Sequence, residues 1–417
     1  MWKSIRGFKF VLIFSFFVCL QFSGFSQNVT IRSLEYYINK DKSSFPLLDL
    51  SDPSNKLNIE FDVASDFFPS LAIYFKFCDI NWTPTNNDLL SNRGFNFQEN
   101  LKYDFLPVSV NEAKYHFKGS YPDSRGEISF PFEGKWMFFI SDSYDTSIVY
   151  ATGKFYVVKD ILHSSATVKS ESLTDASVYP ANLAKTLSLI TKVELPSNLF
   201  PNYLEGAEIV QNRLFDYSIF AGKEKISDSV YFDWDGNRNF NFVVRKIKPG
   251  NEYRQIDLRN ESKYPGKFVP GRFEGADENR FFTFGSKDLN GGMVISNFQN
   301  VSSEYLEVQF NLRTGEKYNY DVYLTGAFNN WEISPKFKMD YSNGVYSVST
   351  LLKRGIYDYQ YLALKKGREG KAVADFYEFE GNFLQTTNEY HIFIFYREQT
   401  FGGYDRIISH ITLITGN

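Results

Sequence analysis

The chain has 417 residues, 43% of them hydrophobic and 23% charged, enough for two to four domains each with its own core, and this composition excludes disordered, collagen-like and coiled-coil proteins. Its 45 basic and 49 acidic residues leave a net charge of −4, which argues against a nucleic-acid partner. Aromatic residues make up 18%, with 43 Phe and 28 Tyr against 4 Met and 14 Pro, and such rings favour the pleated, half-buried surfaces of sheets.

The first residues carry an export signal. Lys3, Arg6 and Lys9 precede an apolar run from Phe10 to Leu20, and Gly24-Phe25-Ser26 places small residues at −3 and −1 of a cleavage site before Gln27. Residues 1–26 are therefore expected to be a signal peptide, its apolar run too short to span a bilayer. Val18 stands before Cys19 where a lipoprotein signal needs a small residue, so no lipid anchor is expected. Cleavage would remove three basic and no acidic residues, moving the net charge from −4 to −7, and would leave Cys78 alone, read as a small buried hydrophobe in a strand.

The mature sequence reads as strands. Leu57, Ile59, Phe61 and Val63 alternate with Asn58, Glu60 and Asp62, and Leu306, Val308, Phe310 and Leu312 with Glu307, Gln309 and Asn311, so each run is expected to have one buried and one wet face. Asp235-Gly236, Thr314-Gly315 and Asn343-Gly344 read as hairpin turns. Helical spacing is confined to short pieces such as 182–191, which β-branched and turn-forming neighbours oppose. A Ser-, Thr- and Ala-rich stretch at 163–179 and a Gly-, Pro- and charge-rich one at 263–292 mark divisions. The expected fold is all-β: three consecutive β-sandwiches of immunoglobulin-like or jelly-roll-like type at 27–160, 161–295 and 296–417. A transmembrane barrel fits less well, because the clean alternations last six to eight residues and runs such as 136–140 and 391–396 are apolar on both faces.

Markers of chemistry are sparse. His116 and His391 lie inside strand-like runs without a second ligand at i+2 or i+4, His163 in the Ser-rich stretch and His410 near the C-terminus, so no metal site is expected. Gly-x-Ser-x-Gly, Walker and dinucleotide patterns do not occur, and no carboxylate pair stands out for glycoside hydrolysis, so neither catalytic residues nor a cofactor are expected. The acidic segment Asp233-Trp234-Asp235-Gly236-Asn237 lacks the spacing of a calcium loop and reads as a turn. The charge run 365–371 reads as a solvated hairpin tip.

The segment Leu324-Thr325-Gly326-Ala327-Phe328-Asn329-Asn330-Trp331, followed by Gly344-Val345-Tyr346 and by 352–361 with its alternating tyrosines, resembles the glycogen-binding, early-set immunoglobulin-like modules. The resemblance implies that Trp331 stacks on a sugar face, although Ala363-Leu364-Lys365-Lys366 offers no second Trp, so any glycan contact is expected to be weak.

Six landmarks in order extend the resemblance along the chain. They are Phe77-Cys78-Asp79-Ile80-Asn81-Trp82-Thr83-Pro84, Gly94-Phe95-Asn96, the run 251–259 (Asn-Glu-Tyr-Arg-Gln-Ile-Asp-Leu-Arg), the 328–361 module, Glu380-Gly381-Asn382-Phe383 and Tyr404-Asp405-Arg406. In type, order and spacing they are similar to a family of Bacteroidota proteins, the type IX secretion system plug proteins. The resemblance implies a periplasmic protein, not itself inserted in the membrane, that binds the large outer-membrane β-barrel translocon and closes its periplasmic mouth between substrates. Such a task needs a stiff body and a contact surface, with a few aromatic anchors inside a polar rim. Trp82 and Trp331, each beside a turn, are the candidate interaction residues. A periplasmic glycan-binding protein is the alternative, and a hydrolase with distant carboxylates a third reading.

Overall fold

A computed structural model describes residues 29–87, 89–90, 96–172, 185–223, 226–273, 275–281, 287–367 and 370–416. The expected signal peptide, Cys19 and the landmark residues Gly94 and Phe95 lie outside them. The regular structure of the described chain is almost all strand, as its composition and alternation imply, and its six sheets pair into three sandwiches.

The first sandwich packs a sheet ordered Thr30–Ile38, Leu57–Ala64, Tyr115–Tyr121, Tyr103–Phe105 on one ordered Leu47–Asp49, Val149–Val158, Gly134–Asp142, Leu71–Cys78, Phe97–Gln98. Leu57, Ile59, Phe61 and Val63 point into its core with Trp136, Phe138 and Phe155. Cys78 is buried in its strand, where burial pushes the thiol up to about 12. The face expected to be wet is not. Asn58, Glu60 and Asp62 are buried as well: Asn58 and Glu60 pair with Ser120 and Lys118 of the neighbouring strand, and Asp62 is covered by Tyr305 and Lys353 of another unit.

The second sandwich begins with Ser164–Ser172, a strand inside the Ser-, Thr- and Ala-rich stretch expected to mark a division, whose outer edge position tolerates its polar composition. It pairs with Lys185–Glu194, so the described part of 182–191 is strand as well. The opposing sheet is ordered Ile219–Gly222, Leu204–Gln211, Asn388–Glu398, Tyr404–Thr415. The last two strands of the chain therefore belong here, and Tyr390, Ile392, Ile394 and Tyr396 share a core with Leu204, Ala207 and Ile209.

The third sandwich is an insertion into the second. Its strands run from Arg254–Asp257 to Ala372–Asp375, and its core holds Ile256, Leu258, Val308, Phe310, Leu324 and Tyr361. The division expected at 295/296 thus moves to about 250, and the unit expected over 296–417 loses its C-terminal strands. The Gly- and Pro-rich stretch misled because its short strands, Phe268–Pro270 and Asp277–Glu278, lie parallel to Tyr305–Arg313 at a sheet edge. Two of the three turn dipeptides do close hairpins. Asn343 (φ 49°) and Gly344 (φ 83°) make the two left-handed residues between paired Ser342 and Val345, and Asp235-Gly236 joins Trp234 to its partner strand. Thr314-Gly315 instead crosses between sheets, since Tyr305–Arg313 pairs with Val345–Lys353 while Asp321–Gly326 pairs with Gly355–Lys366. Of the 365–371 run, Lys365 and Lys366 pair with Val373 and Ala372 of an antiparallel strand, while Arg368 and Glu369 lie outside the described residues.

Candidate functional site: stapled junctions and an apolar end

Buried charge joins the sandwiches. Between the first and second, Lys135 Nζ lies 2.8 Å from Glu208 Oε1, both side chains almost wholly buried, and also donates to the Ile80 carbonyl at 2.6 Å. Ser218 Oγ donates to the same Glu208 oxygen at 2.6 Å. The ammonium sits 4.6 Å from the centre of the Trp82 ring. Alongside, Arg406 Nε meets Glu133 at 3.1 Å, and the Ile80 N–H donates to Asp405 at 3.0 Å. Tyr404-Asp405-Arg406 and Phe77 to Pro84, two landmarks far apart in sequence, thus face each other in one junction.

Between the first and third sandwiches, Asp62 is the hub. His116 Nδ1 is 2.7 Å from one carboxylate oxygen, while Tyr305 and Lys353 donate to the other at 2.8 and 2.6 Å. Burial alone would raise the Asp62 pKa, but the His116 bond and the Lys353 charge outweigh it and hold it below the usual carboxylate range. Phe298 stacks on the His116 ring at 3.9 Å. The Ile295 N–H donates to Glu35 at 2.8 Å, and Lys42 pairs with the same carboxylate at 2.7 Å. Burial raises the Glu35 pKa in spite of Lys42.

Where the three units meet, Trp331 closes the joint. The Asn330 and Trp331 backbones both take positive φ, 52° and 62°, which turns the indole inward: it is 2% exposed, its N–H donates to the Gly291 carbonyl at 2.9 Å, and Tyr253 lies 4.6 Å away. Gly291, at φ 81°, passes so near the indole that a Cβ there would sit 3.3 Å from it. The adjoining void, lined by Glu35, Arg213 and Trp331 among others, is about 20 Å³, room for roughly one water. Beside Gly291 lie two carboxylates. Asp358 accepts from Gln255 and from the Leu289 and Gly291 N–H groups, and Asp288 from the Asn290 and Tyr253 N–H groups. Burial raises both pKa values, and mutual repulsion raises Asp288 further, so the pair retains a proton into the neutral range. Asp358 is fully buried and spends both oxygens on internal donors, which makes it a loop clamp rather than a reacting group.

His391, His410 and the residues of an open cleft are structural in the same sense, while His163 is exposed. His391 is buried and its Nδ1 lies 3.2 Å from His410 Nε2, a pairing across adjacent strands that their spacing in sequence concealed; burial lowers the pKa of both. An open cleft of about 780 Å³ in the third sandwich has Arg254, Asp277 and Arg280 in its wall, but these are ion-paired, Arg254 with Asp277 and Glu380 at 3.0 Å and Arg280 with Glu380 at 2.7 Å. Among the described residues no group of three or more His, Cys, Asp or Glu is placed to hold a metal ion.

Both tryptophans expected at a contact surface are therefore elsewhere. Trp331 is a correction: its ring is inside the molecule and presents no face to a sugar or a partner. Trp82 is partly buried at the first junction, edge-on to Tyr156 at 5.1 Å and to Phe215 at 6.2 Å. A group of exposed apolar side chains stands at the opposite end of the first sandwich. There the loop 65–70 connects the two sheets, Tyr103–Phe105 ends beside the start of Tyr115–Tyr121, and the 143–148 loop follows Asp142 opposite Leu71. Phe67, Phe68, Phe105, Val108 and Tyr144 project from these loops. Ser109 Oγ donates to the Val301 carbonyl at 2.6 Å, adding exposed Val301 of the third sandwich to the group. Sequence reading overlooked these residues, although Asp66-Phe67-Phe68-Pro69 is a turn-like segment with two adjacent rings that alternation cannot both bury.

No family model and no curated protein matches the chain. Among solved structures it is similar to a hypothetical protein from Parabacteroides merdae ATCC 43184, with a TM-score of 0.74 and 21% identity over 93% of this chain and 97% of that one, a likeness that shows a shared fold across all three sandwiches.

Proposed function

We propose that the protein is a non-enzymatic periplasmic plug that binds the large outer-membrane β-barrel translocon of the type IX secretion system and seals its periplasmic opening between transport events. The observation that carries this reading is the stapling of three sandwiches into one body by buried ion pairs, Lys135–Glu208 and Asp62–Lys353 foremost. A stopper held against a pore must not bend, and units joined only by flexible linkers would be expected to move relative to each other. The landmarks behind the family resemblance support it further: Trp82, Asp405 and Trp331 all lie at the junctions that make the body stiff. Glycan binding through the Trp331 turn has no exposed ring to rest on.

The test is recovery of partners from gently solubilised outer membranes of the native host through a tag on the C-terminus, read by mass spectrometry. A very large β-barrel protein recovered with the tagged chain is the expected result. Recovery of the chain alone, under conditions that keep other outer-membrane complexes intact, would overturn the proposal.

A further inference from the structure

We propose that the free end of the first sandwich is the surface that docks onto the partner, and that it fits a folded protein presenting an apolar recess with a cationic rim. The inference rests on the plug reading and adds to it the face and the chemistry of the contact. Phe67, Phe68 and Phe105 are 63, 62 and 77% exposed, Tyr144 89%, Val108 97% and Val301 71%. At roughly 150–250 Å² per aromatic side chain the four rings alone leave on the order of 600 Å² in water, most of what one partner contributes to a standard protein interface.

The surface is also pre-organised. Phe68 packs edge-on to Tyr103 and Tyr115, both at 5.5 Å, and Phe105 lies 5.5 Å from Tyr115. Directly behind it, Asp62, His116, Tyr305 and Lys353 lock the first sandwich to the third. The second sandwich holds the far end of the first, through Lys135 and Glu133, and so leaves this end unobstructed.

Charge decides the occupant. The charged side chains around the apolar groups are Asp66, Asp104, Glu112, Asp142 and Asp145 against Lys102, Lys114 and Arg32, an acidic excess in which Lys114 is already paired with Asp66 at 3.3 Å and Arg32 with Glu112 at 3.6 Å. An acidic rim repels an anionic lipid surface and also repels a second copy placed face to face, whereas it complements lysines and arginines around a recess.

The experiment uses the full chain expressed in the native host. Phe67→Asp/Val108→Asp alters two exposed side chains of the end, Phe268→Asp alters an equally exposed Phe on the third sandwich, and Asp104→Lys/Asp145→Lys reverses the rim while keeping the apolar groups. Recovery of the barrel with Phe67→Asp/Val108→Asp is expected to fall about tenfold or more, the loss typical of a buried aromatic anchor, with Phe268→Asp unchanged. The rim reversal should weaken recovery at low salt and lose its effect at high salt, and it serves as the reading if the double Asp variant fails a thermal-melt check. Undiminished recovery with both double variants would overturn the docking face while leaving the plug reading intact; no barrel with the unaltered chain would overturn both. Two parallel measurements on the purified protein cover other occupants. Flotation with phosphatidylethanolamine–phosphatidylglycerol vesicles, or dimerisation in sedimentation, abolished by Phe67→Asp/Val108→Asp would assign the face to lipid or to a second copy and overturn the proposal.

Discussion

Replacing Lys135 by Met should damage the junction between the first and second sandwiches more than any surface change could. The ammonium is 1% exposed, and its loss leaves the Glu208 carboxylate, 3% exposed, with hydroxyl partners only. Stranding one member of a buried pair costs about 3–5 kcal/mol. The Ile80 carbonyl loses its donor, worth about 1 kcal/mol, and the Trp82 ring its cation, worth roughly 0.5–2 kcal/mol, while the Met side chain recovers part of the packing. A net loss of about 4 kcal/mol for Lys135→Met is expected. Glu208→Gln should cost about 3 kcal/mol by stranding the ammonium, but the double variant only about 4, because neither charge is then left alone. The assay is urea unfolding of all four proteins, followed by tryptophan fluorescence and by circular dichroism. Losses below about 1 kcal/mol for each single variant, adding simply in the double, would refute the view that this pair holds the sandwiches together.

Other expectations follow from the same geometry. Trp331→Ala should cost about 3–5 kcal/mol, as for a fully buried ring, in thermal or urea unfolding, and a change under about 1 kcal/mol would return Trp331 to the surface. Cys78, its thiol pushed up to about 12 by burial, should react with iodoacetamide slowly in the native protein and fast in urea; fast native labelling would contradict its placement. Asp288 has a folded pKa raised to about 8, above its unfolded value, so its contribution to stability is full below about pH 4 and is lost as pH rises through about 8. Asp288→Asn should therefore be more stable than the unaltered protein at pH 8, by about 1 kcal/mol after allowance for its partial exposure, with no advantage at pH 4; equal stability at both would remove the shared proton.

The local half of this architecture is legible in the sequence. Leu57 to Val63 show their core face by simple alternation, and Asn343-Gly344 shows its turn, because both are set by neighbours one or two residues away. What alternation does not show is whether a polar face meets water. Glu60 and Asp62 look like solvent residues until Lys118 and Lys353, from distant strands, are brought against them. The same gap hides the return of Asn388–Glu398 to the second sandwich, since pairing with Leu204–Gln211 across some 180 residues leaves no local trace. Trp331 is legible as special but not as buried, because the left-handed turn at Asn330 and Trp331 directs the ring onto Gly291 and Tyr253, which lie far from it in sequence. The apolar end is illegible for the opposite reason: adjacent Phe67 and Phe68 break alternation, so no periodic pattern marks them.

Sealing itself is the central claim, and entry of a bulky antibiotic normally excluded by the outer membrane measures it most directly. Deleting this gene in the native host should raise sensitivity, and deleting the translocon barrel as well should restore the original resistance to that drug, because the leak runs through the unplugged pore. Unchanged sensitivity in the single deletion, or a leak that persists without the barrel, would contradict the account.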